Sequence, residues 1–351
     1  MTRLAGFWGS PCAGLGKKLA YRATGMAACD VFRSAWRDSG AHSMTKSLTI
    51  GIPCYNESIT VGKVITDFRA VFPQARILVI DNASTDNTPE IARAHGAEVV
   101  NEPRKGKGYA VQRLFSLTES DYLIMVDGDD TYPAEQALKL IDTMEREGGD
   151  TVVGCRTSSD EAAFKTAHTW ANRALAAFIE SIFSARCGDL FSGYRLFTRA
   201  FYRNIPMLAK GFEVETELAI QTIDKGFVQR NVDITFRSRP EGSFSKLNTF
   251  SDGFRVVRVI ITVVKDFKPM LFFSQIALIF FMGSILAGMF PILDYIRIRY
   301  VIHVPLAILA TGLDLLAALA LVCGFILDTI VRYDREQFFL RMRDFKDGPR
   351  M

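Results

Sequence analysis

The chain has 351 residues, a length that suits one large domain with an appendage or two modest domains. Hydrophobic residues make up 49% of it and are concentrated towards the C-terminal end, which predicts a membrane segment. The net charge of +4 gives no reason to expect a nucleic-acid partner, and six cysteines without C-x-x-C spacing indicate free thiols in a reducing compartment rather than a disulfide framework or a metal site.

Residues 1–43 differ in composition from the rest of the chain. They hold six basic side chains against two acidic ones, and no apolar stretch among them is long enough for a signal-peptide core. We predict a disordered extension, or sequence upstream of a true start at Met44, because a strand pattern begins soon after that methionine. A transit peptide is the less favoured alternative.

From Leu48 onward, short apolar runs alternate with helical periods. Strands are predicted at Leu48–Pro53, Ile77–Ile80, Ala97–Val100, Tyr122–Val126 and Thr151–Val153. Helices are predicted at Ile59–Phe72, Pro89–His95, Ala110–Leu117 and Ala134–Arg146. This alternation predicts an α/β domain with a mostly parallel sheet covered on both faces. Ligands of such sheets bind beyond the carboxyl ends of the strands, so the chemistry should lie in the loops that follow them.

Polar residues follow the first two predicted strands. The first loop contains Pro53, Tyr55 and Glu57, and Pro53 ends the hydrogen-bonding ladder because proline has no N–H. The second loop begins with Asp81, which at a strand end can accept hydrogen bonds from a nucleotide base or ribose. Asp86, with the threonine and proline that follow it, also fits a helix start. We favour a binding role for the two aspartates together.

The fourth predicted strand runs directly into an acidic turn. Asp127, Asp129 and Asp130 lie within four residues around Gly128. Such carboxylates repel one another unless a counter-ion is present, and a hard divalent cation, Mg²⁺ or Mn²⁺, can hold a diphosphate with carboxylate oxygens and waters. A solvated acidic turn is the alternative, and the apolar strand before it argues against that.

The C-terminal quarter carries two long apolar runs. Pro269–Leu293 contains no charged residue, and a helix of that length spans about 37 Å, enough to cross a bilayer core of about 30 Å. A second run begins at His303 and continues to Leu327, interrupted only by Asp314. The connection Asp294–Ile302 is short, so the two runs predict a transmembrane hairpin with both flanks on one side.

Charges at the ends of the hairpin predict its orientation. The turn carries Arg297 and Arg299, whereas the flanks carry Lys265, Lys268, Arg332, Arg335, Arg341, Arg343 and Lys346. This bias places the flanks in the cytoplasm. Just upstream, residues 254–267 separate apolar and basic side chains onto different faces, which favours a helix lying in the membrane surface over an ordinary packing helix.

Three motifs in register resemble the family 2 glycosyltransferases of the GT-A fold. They are Pro53-Cys54-Tyr55-Asn56-Glu57, Asp81 with Ser84-Thr85-Asp86, and Asp127-Gly128-Asp129. Further segments resemble the polyprenol-phosphate sugar transferases of the dolichol-phosphate mannose synthase group. They are Gly106-Lys107-Gly108-Tyr109-Ala110, Asp189 with Ser192-Gly193-Tyr194-Arg195, Gly211-Phe212-Glu213 with Glu217, and Arg237, Arg239, Gly242 with Ser245-Lys246-Leu247. The resemblance covers about residues 48–252 of the chain, and some members of the group carry a C-terminal membrane hairpin.

The resemblance implies a Rossmann-like nucleotide-sugar-binding domain and a role for each matching residue. The expected donor-binding residues are Pro53, Tyr55, Glu57, Asp81, Asp86, Lys107, Asp127, Gly128 and Asp129, of which Asp127 and Asp129 would hold Mg²⁺ or Mn²⁺. The expected contacts to an acceptor phosphate are Arg156, Arg173, Arg195, Arg239, Ser245 and Lys246. Asp127, Asp129, Arg239 and Lys246 are the expected catalytic residues.

The chain departs from the group at two places. Members often carry Gln two positions after the second metal-binding Asp, where this chain has Thr131 after Asp130. The segment after Gly211 is also rich in glutamate. The full set of metal ligands therefore stays open. The donor also stays open between a UDP-sugar and a GDP-sugar.

A polyprenyl phosphate acceptor, dolichyl or undecaprenyl, explains the basic residues downstream of the acidic turn. A phosphate monoester has a second pKa near ~6 and is mostly dianionic at neutral pH. It can attack the anomeric carbon without a strong general base, but it needs cationic partners such as arginine. Attack from the face opposite the nucleotide would invert the anomeric centre.

Other functions of membrane-bound or nucleotide-sugar-binding proteins would leave different motifs in the sequence. A processive polysaccharide synthase would carry a Q-x-x-R-W motif, which is absent because the tryptophans are Trp8, Trp36 and Trp170. A sugar nucleotidyltransferase would carry a Gly-rich loop with Arg after the first strand. A glycosyltransferase acting on a glycan or glycolipid hydroxyl, and a membrane scaffold with a degenerate nucleotide-sugar pocket, stay open as alternatives.

The sequence thus predicts an integral membrane glycosyltransferase with a cytoplasmic catalytic domain. It would lie in the plasma membrane of a prokaryote or the endoplasmic reticulum of a eukaryote, with its hairpin able to form a homo-oligomer. The predicted parts are the extension 1–43, the catalytic domain 44–250, the surface helix 251–268, the two spans 269–333 and a basic cytoplasmic tail 334–351.

Overall fold

The computed structural model describes residues 46–158, 177–178, 180–181, 188–211, 213–237 and 261–347. The predicted extension 1–43 lies outside these residues, as do Arg173, Arg239, Ser245 and Lys246 from the predicted site.

Seven strands of the described part form one sheet. They are β1 Leu48–Cys54, β2 Arg76–Asp81, β3 Glu98–Asn101, β4 Tyr122–Met125, β5 Thr151–Ser158, β6 Arg195–Thr198 and β7 Gln229–Phe236. The helices are α1 Val61–Val71, α2 Thr88–Ala94, α3 Lys107–Leu117, α4 Ala137–Glu147, α5 Arg199–Asn204, α6 Val214–Asp224, α7 Pro269–Ile298 and α8 Val304–Asp347. A 3-10 turn at Ala134–Gln136 precedes α4, so the predicted helix Ala134–Arg146 is divided.

The sheet has the strand order β3-β2-β1-β4-β6-β5-β7. Strands β1 to β4 are parallel to one another, whereas β6 is antiparallel to both β4 and β5, and β5 is parallel to β7. The predicted mostly parallel α/β fold is confirmed, with one reversed strand that the alternation did not predict. All strands except β6 therefore end at the same edge.

Helices cover both faces of the sheet. Every residue of β1 is buried, as expected for a strand between two helical layers. One core cluster joins β1 to α1 and α4, and a second joins β2 and β4 to α3 and α6. Gly51 permits the close approach of α3, because a Cβ there would lie 2.5 Å from Leu114 Cδ1. The packing brings the first turns of α3 and α6 to the edge where the parallel strands end.

Helices α7 and α8 are long and apolar enough to cross a membrane, and they pack together as a hairpin. Only 11% and 17% of their most apolar windows are buried, so neither is the core helix of a soluble domain. Arg299 ends α7 in the left-handed region with φ 58°. The carboxylate of Asp294 accepts hydrogen bonds from the N–H groups of Ile302 and His303, both at 3.1 Å, and so ties the turn before α8.

Helix α8 is longer than the predicted second span. Its 44 residues extend about 66 Å, roughly twice a bilayer core. The predicted tail 334–351 is therefore helical as far as Asp347. Hydropathy indicates only where the apolar run ends. The later turns of α8 contact the catalytic domain, for example through Phe338 and Phe227, whose ring centroids are 5.6 Å apart.

Of the predicted surface helix 251–268, the structure describes residues 261–268, and 261–267 are helical. Val263 and Val264 are buried, and Val263 belongs to a cluster with Ala219 and Ile220 of α6. Ile261 is 48% exposed. This segment therefore packs on the catalytic domain along part of its surface.

Candidate active site

Hydrogen bonds join two loops at the carboxyl edge of the sheet. Backbone N–H groups of the loop after β1 donate to side chains of the loop after β2: Asn56 to Ser84 at 3.0 Å, Glu57 to Thr88 at 2.8 Å and Ser58 to Asp86 at 3.2 Å. Burial raises the pKa of Asp86, but hydrogen bonds from Thr88 and Ser58 outweigh it and hold that pKa below its ordinary value. Asp86 thus organises the loops, and the two sets of motifs form one surface.

Strained backbone is concentrated in the same loops. Asn56, Ala83 and Asp130, in the loops after β1, β2 and β4, have φ of 52°, 57° and 57°. The left-handed region is costly for residues other than glycine, and for alanine no side-chain hydrogen bond offsets that cost. Such strain is typical of binding sites whose surroundings dictate the backbone.

One carboxylate oxygen of Asp81 is buried without a hydrogen-bond partner among the described residues. The residue is 5% exposed at the end of β2, and its Oδ2 accepts a hydrogen bond from the N–H of Ser84 at 3.4 Å. Its Oδ1 is buried and has no hydrogen-bond partner among the described residues. Because buried polar atoms are normally paired, this oxygen fits a ligand that donates a hydrogen bond.

The remaining predicted donor residues of the first loop lie beside the acidic turn. Pro53 is buried within β1, and Tyr55 is half-buried with Lys105 Nζ 5.9 Å from its ring centre. Gly128 packs against Cys54 and Glu57, and a Cβ there would lie 2.7 Å from Cys54 Sγ. The structure therefore brings Glu57 and Gly128 together.

The three carboxylates of the acidic turn have separate partners. Asp127 Oδ1 lies 2.5 Å from Lys107 Nζ, Asp129 Oδ1 accepts from Thr131 Oγ1 at 2.6 Å, and Asp130 Oδ1 lies 2.7 Å from Lys63 Nζ. The left-handed φ of Asp130 directs this third carboxylate to α1. Their mutual repulsion is thereby relieved, and Asp127 and Asp129 are left at the site.

Lys107, in the first turn of α3, is held between two acids. Its Nζ pairs with Asp127 and with Glu215, in the first turn of α6. Burial lowers the pKa of Lys107, but the two carboxylates outweigh it and hold the pKa far above its ordinary value. Lys107 is therefore a permanent cation beside the acidic turn.

The glutamates of α6 account for the acid-rich segment after Gly211. Glu217 accepts hydrogen bonds from the N–H groups of Leu208 and Ala209 at 2.8 and 2.7 Å, and Glu213 accepts one from Gly211 at 3.1 Å. Residues 208–211 are thereby held over the start of α3. Glu215 was missed in the sequence-based site, although its alternation with Glu213 and Glu217 marked the segment as unusual.

Two glycines permit this close approach of residues 208–211 to α3. A Cβ on Gly106 would overlap the carbonyl oxygen of Lys210, and one on Gly108 would overlap that of Ala209. Gly106 also has φ 136°, which side-chain-bearing residues rarely adopt. These two glycines explain the Gly-Lys-Gly pattern around Lys107.

Gly193 covers the second oxygen of Asp127. A Cβ on this residue would overlap Asp127 Oδ2. Its N–H donates to the Tyr132 hydroxyl at 3.2 Å, and burial raises the pKa of Tyr132 to about 12, so the phenol stays protonated at neutral pH. Gly193 was quoted within a motif but not predicted as part of the site.

The predicted phosphate-binding arginines occupy different environments. Arg156 makes a two-pronged ion pair with Asp189 at 2.6 and 3.0 Å and lies over the Phe236 ring. Arg195 is 1% exposed, and its guanidinium donates to the carbonyl oxygens of Ser192, Leu190 and Glu215 at 2.9 to 3.1 Å. Its donors are directed at backbone, so Arg195 fits a structural role and not the predicted contact with a phosphate.

The carboxylates at the acidic turn fit a hard divalent cation bound together with a substrate. No group of three or more His, Cys, Asp or Glu side chains in the described part of the chain could hold a metal ion alone. Mg²⁺ is commonly bound by one or two carboxylates, waters and substrate phosphates rather than by an all-protein cage. Asp127 and Asp129 match that donor set.

The matched family model is Glycosyl transferase family 2, over residues 49–210. These residues include nearly all of β1, the strands β2 to β6, and the loops after β1, β2 and β4. Among solved structures, the glucosyl-3-phosphoglycerate synthase of Mycobacterium tuberculosis, crystallised with Mn²⁺ and UDP-glucose, superimposes with a TM-score of 0.51 at 22% identity. The match covers 70% of this chain and 85% of that one. It shows a shared GT-A-like fold.

Two similar proteins come from the archaeon Haloferax volcanii. Glycosyltransferase AglJ is 31% identical over 287 residues, which are 81% of this chain and 94% of the relative. A dolichyl-phosphate hexose transferase is 29% identical over 217 residues, which are 62% of this chain and 93% of the relative. With its fold, its acidic turn and these similarities, the chain belongs to the family 2 glycosyltransferases.

Proposed function

We propose that this glycosyltransferase transfers a sugar from a UDP- or GDP-sugar to a polyprenyl phosphate, with inversion, at the cytoplasmic face of a membrane. The observation that carries the proposal is the combination of the Lys107–Asp127 site with a membrane-type hairpin that packs on the same catalytic domain. A soluble acceptor would not require the catalytic domain to be attached to such a hairpin.

The donor half of the site is the edge formed by the loops after β1, β2 and β4. The orphaned Oδ1 of Asp81 would accept a hydrogen bond from the nucleotide. Asp127 and Asp129 would hold Mg²⁺ or Mn²⁺, which when bound stabilises the negative charge of the departing diphosphate. Lys107 adds a fixed positive charge there and orients Asp127.

Among the described residues at the acidic turn, none is a conventional general base for the acceptor. Of the described histidines, His95 packs against Gly62 and His303 lies in the hairpin turn. Asp127 is held by Lys107, and Asp129 accepts hydrogen bonds from Thr131. A phosphate that is already ionised attacks without surrendering a proton, so it suits a site without a free base.

Basic residues would guide the phosphate to the metal site. Arg156 is the described candidate, because it lies near Asp127 and its guanidinium is the fork-shaped donor that phosphates prefer. Arg173, Arg239, Ser245 and Lys246 stay in the proposal from the sequence alone. Arg195 is left out because it is buried and its Nε and Nη2 donate to backbone carbonyl groups.

The name of one relative, the dolichyl-phosphate hexose transferase, supports a lipid acceptor. Another relative, 29% identical over 229 residues, is the low-salt glycan biosynthesis hexosyltransferase Agl6 of Haloferax volcanii, whose name supports hexosyl transfer. Polyprenyl phosphates are held in membranes, as the apolar hairpin of this chain would be. The excess of basic residues on its flanks supports a cytoplasmic catalytic domain.

We include a homo-oligomer formed through the hairpin in the proposal. Asp314 is exposed on α8 within an otherwise uncharged span, and it has no ion pair or hydrogen bond among the described residues. A carboxylate inside a membrane costs about 2.5–3.5 kcal/mol on insertion scales, and a second copy would shield it from lipid. A monomeric mass in a lipid nanodisc would contradict this part.

A donor screen tests the proposed reaction. The purified full chain would be incubated with a short polyprenyl phosphate, Mg²⁺ or Mn²⁺, and UDP- and GDP-sugars one at a time. We expect one donor class to increase the mass of the lipid by one hexose, or one modified sugar, in a metal-dependent way. A full panel that leaves the lipid unchanged, while a hydroxyl-bearing glycolipid is modified, would contradict it.

A further inference from the structure

The cytoplasmic end of α8 meets the last turn of α6 through a chain of alternating charges. Arg335 lies 2.6 Å from Asp224 Oδ1, Asp224 lies 3.4 Å from Lys225, and Lys225 pairs with Asp334. The side chains of Asp224 and Lys225 are 3% and 5% exposed, so these two charges depend on partners supplied by α8. We call these four residues the charge dock.

Apolar contacts reinforce the charge dock. Phe338 of α8 packs edge-on against Phe227, just after α6, and Phe227 contacts Phe201 of the catalytic core at 4.8 Å between ring centres. Arg335 also donates to the carbonyl oxygen of Phe267 at 3.3 Å, at the end of the helical residues 261–267. The dock therefore joins α8, α6 and the segment that enters the hairpin.

The opposite end of α6 belongs to the active site. Glu215 pairs there with Lys107, and Glu213 and Glu217 hold residues 208–211 over the start of α3. Nine residues separate Glu215 from Asp224, which corresponds to about 14 Å along a helix. One short helix thus carries the dock at its last turn and the Lys107 contact at its first.

We infer that docking of α8 on α6 sets the position of Glu215 and thereby of Lys107, so that Asp224 and Arg335 are positioning residues for transfer. Without Arg335, the buried Asp224 carboxylate loses an ion-pair partner and must move towards water. Helix α6 is packed on both sides in a dense core, so a displaced last turn shifts the helix as a unit rather than bending it. The hairpin then tunes the site as well as holding the enzyme in the membrane.

The inference rests on the proposed function for its kinetic test, so the experiment adds a measurement that needs no turnover. The full chain in nanodiscs would be prepared as wild type, Arg335→Ala, Arg335→Lys and Asp334→Asn. Arg332→Ala is the matched control, because Arg332 forms an exposed pair with Asp328 on the same helix at 3.3 Å. Amide hydrogen exchange would be followed in residues 107–110 and 208–211, and hydrolysis of UDP-glucose and GDP-mannose would be measured with Mn²⁺.

We expect Arg335→Ala to speed exchange in both segments and to lower kcat/KM for the nucleotide sugar roughly tenfold. Arg335→Lys should restore most of both, Asp334→Asn should cause a smaller change in the same direction, and Arg332→Ala should match the wild type. Unchanged exchange at residues 107–110 in folded Arg335→Ala would overturn the inference. So would an equal effect in Arg332→Ala.

Three further outcomes complete the test and keep the inference distinct from the proposed function. If Arg335→Ala does not fold, Asp334→Asn decides the matter, because Asp334 is 59% exposed and its replacement leaves Asp224 paired with Arg335. If the wild type transfers no sugar to polyprenyl phosphate, the exchange rates still decide whether the dock reaches Lys107. A loss of lipid transfer alone, with exchange and hydrolysis unchanged, would overturn the inference.

Discussion

Lys107 Nζ and Asp127 Oδ1 lie 2.5 Å apart although one residue begins α3 and the other follows β4. The contact exists because parallel strands end at one edge and the start of α3 lies at that edge. Glu215 of α6 completes the arrangement from a third element. A positive charge is thus fixed beside the carboxylates that would meet a diphosphate.

Asp129→Ala should lower transfer more than roughly 100-fold while the protein stays folded and membrane-bound. Asp129 supplies one of two carboxylates proposed to hold the divalent cation. The rate of sugar transfer with saturating donor and metal is the measurement. Asp130→Asn is the matched control and should keep near wild-type turnover, because that carboxylate pairs with Lys63 and asparagine tolerates its left-handed φ. Near-normal turnover of Asp129→Ala would refute the metal assignment.

Lys107→Met should abolish transfer and also destabilise the domain by about 3–5 kcal/mol, because Asp127 and Glu215 lose their buried partner. The double variant Lys107→Met with Glu215→Gln removes one of the uncompensated charges. It should recover much of the stability without recovering activity. Thermal unfolding and transfer rate measured on the same samples separate the two effects. Recovery of activity in the double variant would show that Lys107 acts only through stability.

Gly106→Ala should destabilise the loop over α3 by about 1–3 kcal/mol, because alanine is strained at φ 136° and its Cβ would overlap the Lys210 carbonyl. Gly312→Ala is the control, since nothing lies within 4 Å of a Cβ at that position. The melting temperature and the KM for the nucleotide sugar are the measurements. We expect both to change for Gly106→Ala and neither to worsen for Gly312→Ala. Equal effects of the two substitutions would argue against the close approach.

Cysteines introduced at Arg297 and Glu90 test the orientation of the hairpin. The excess of basic residues on the flanks predicts that a membrane-impermeant thiol reagent added to sealed cells labels Arg297→Cys and not Glu90→Cys. The parent chain controls for native cysteines, and permeabilised cells control for the reactivity of position 90. Labelling of Glu90→Cys from outside would reverse the proposed topology.

The strand and helix order from β1 to β5 was predictable, because each strand is a short buried run and each helix shows a 3.6-residue period. Strand β6 was not, since a four-residue apolar strand looks the same in either direction. The contact of Glu215 with Lys107 could not be predicted from the sequence either, because it joins residues more than 100 positions apart. The helical extension of α8 as far as Asp347 was not predicted, because hydropathy identifies only the apolar part of that helix.

Some residues of the candidate site could be predicted from the sequence and others could not, because contacts between distant residues depend on the fold. Asp81 and Asp127 were predicted because a carboxylate directly after an apolar strand is unusual, and their roles stay predictions. The prediction for Arg195 could not foresee its contacts with backbone carbonyl groups, because an arginine in a sequence looks alike in either environment. Only the fold decides between the two.

The most direct test of the account compares a polyprenyl phosphate with the polyprenol of the same chain length, using the donor found in the screen and the initial rate of product formation. We expect transfer to the phosphate and none to the alcohol. We also expect the rate to fall below pH ~6, as the phosphate gains a proton and loses nucleophilicity. Transfer to the alcohol at the same rate as to the phosphate would contradict the account and leave only a family 2 glycosyltransferase with an unassigned acceptor.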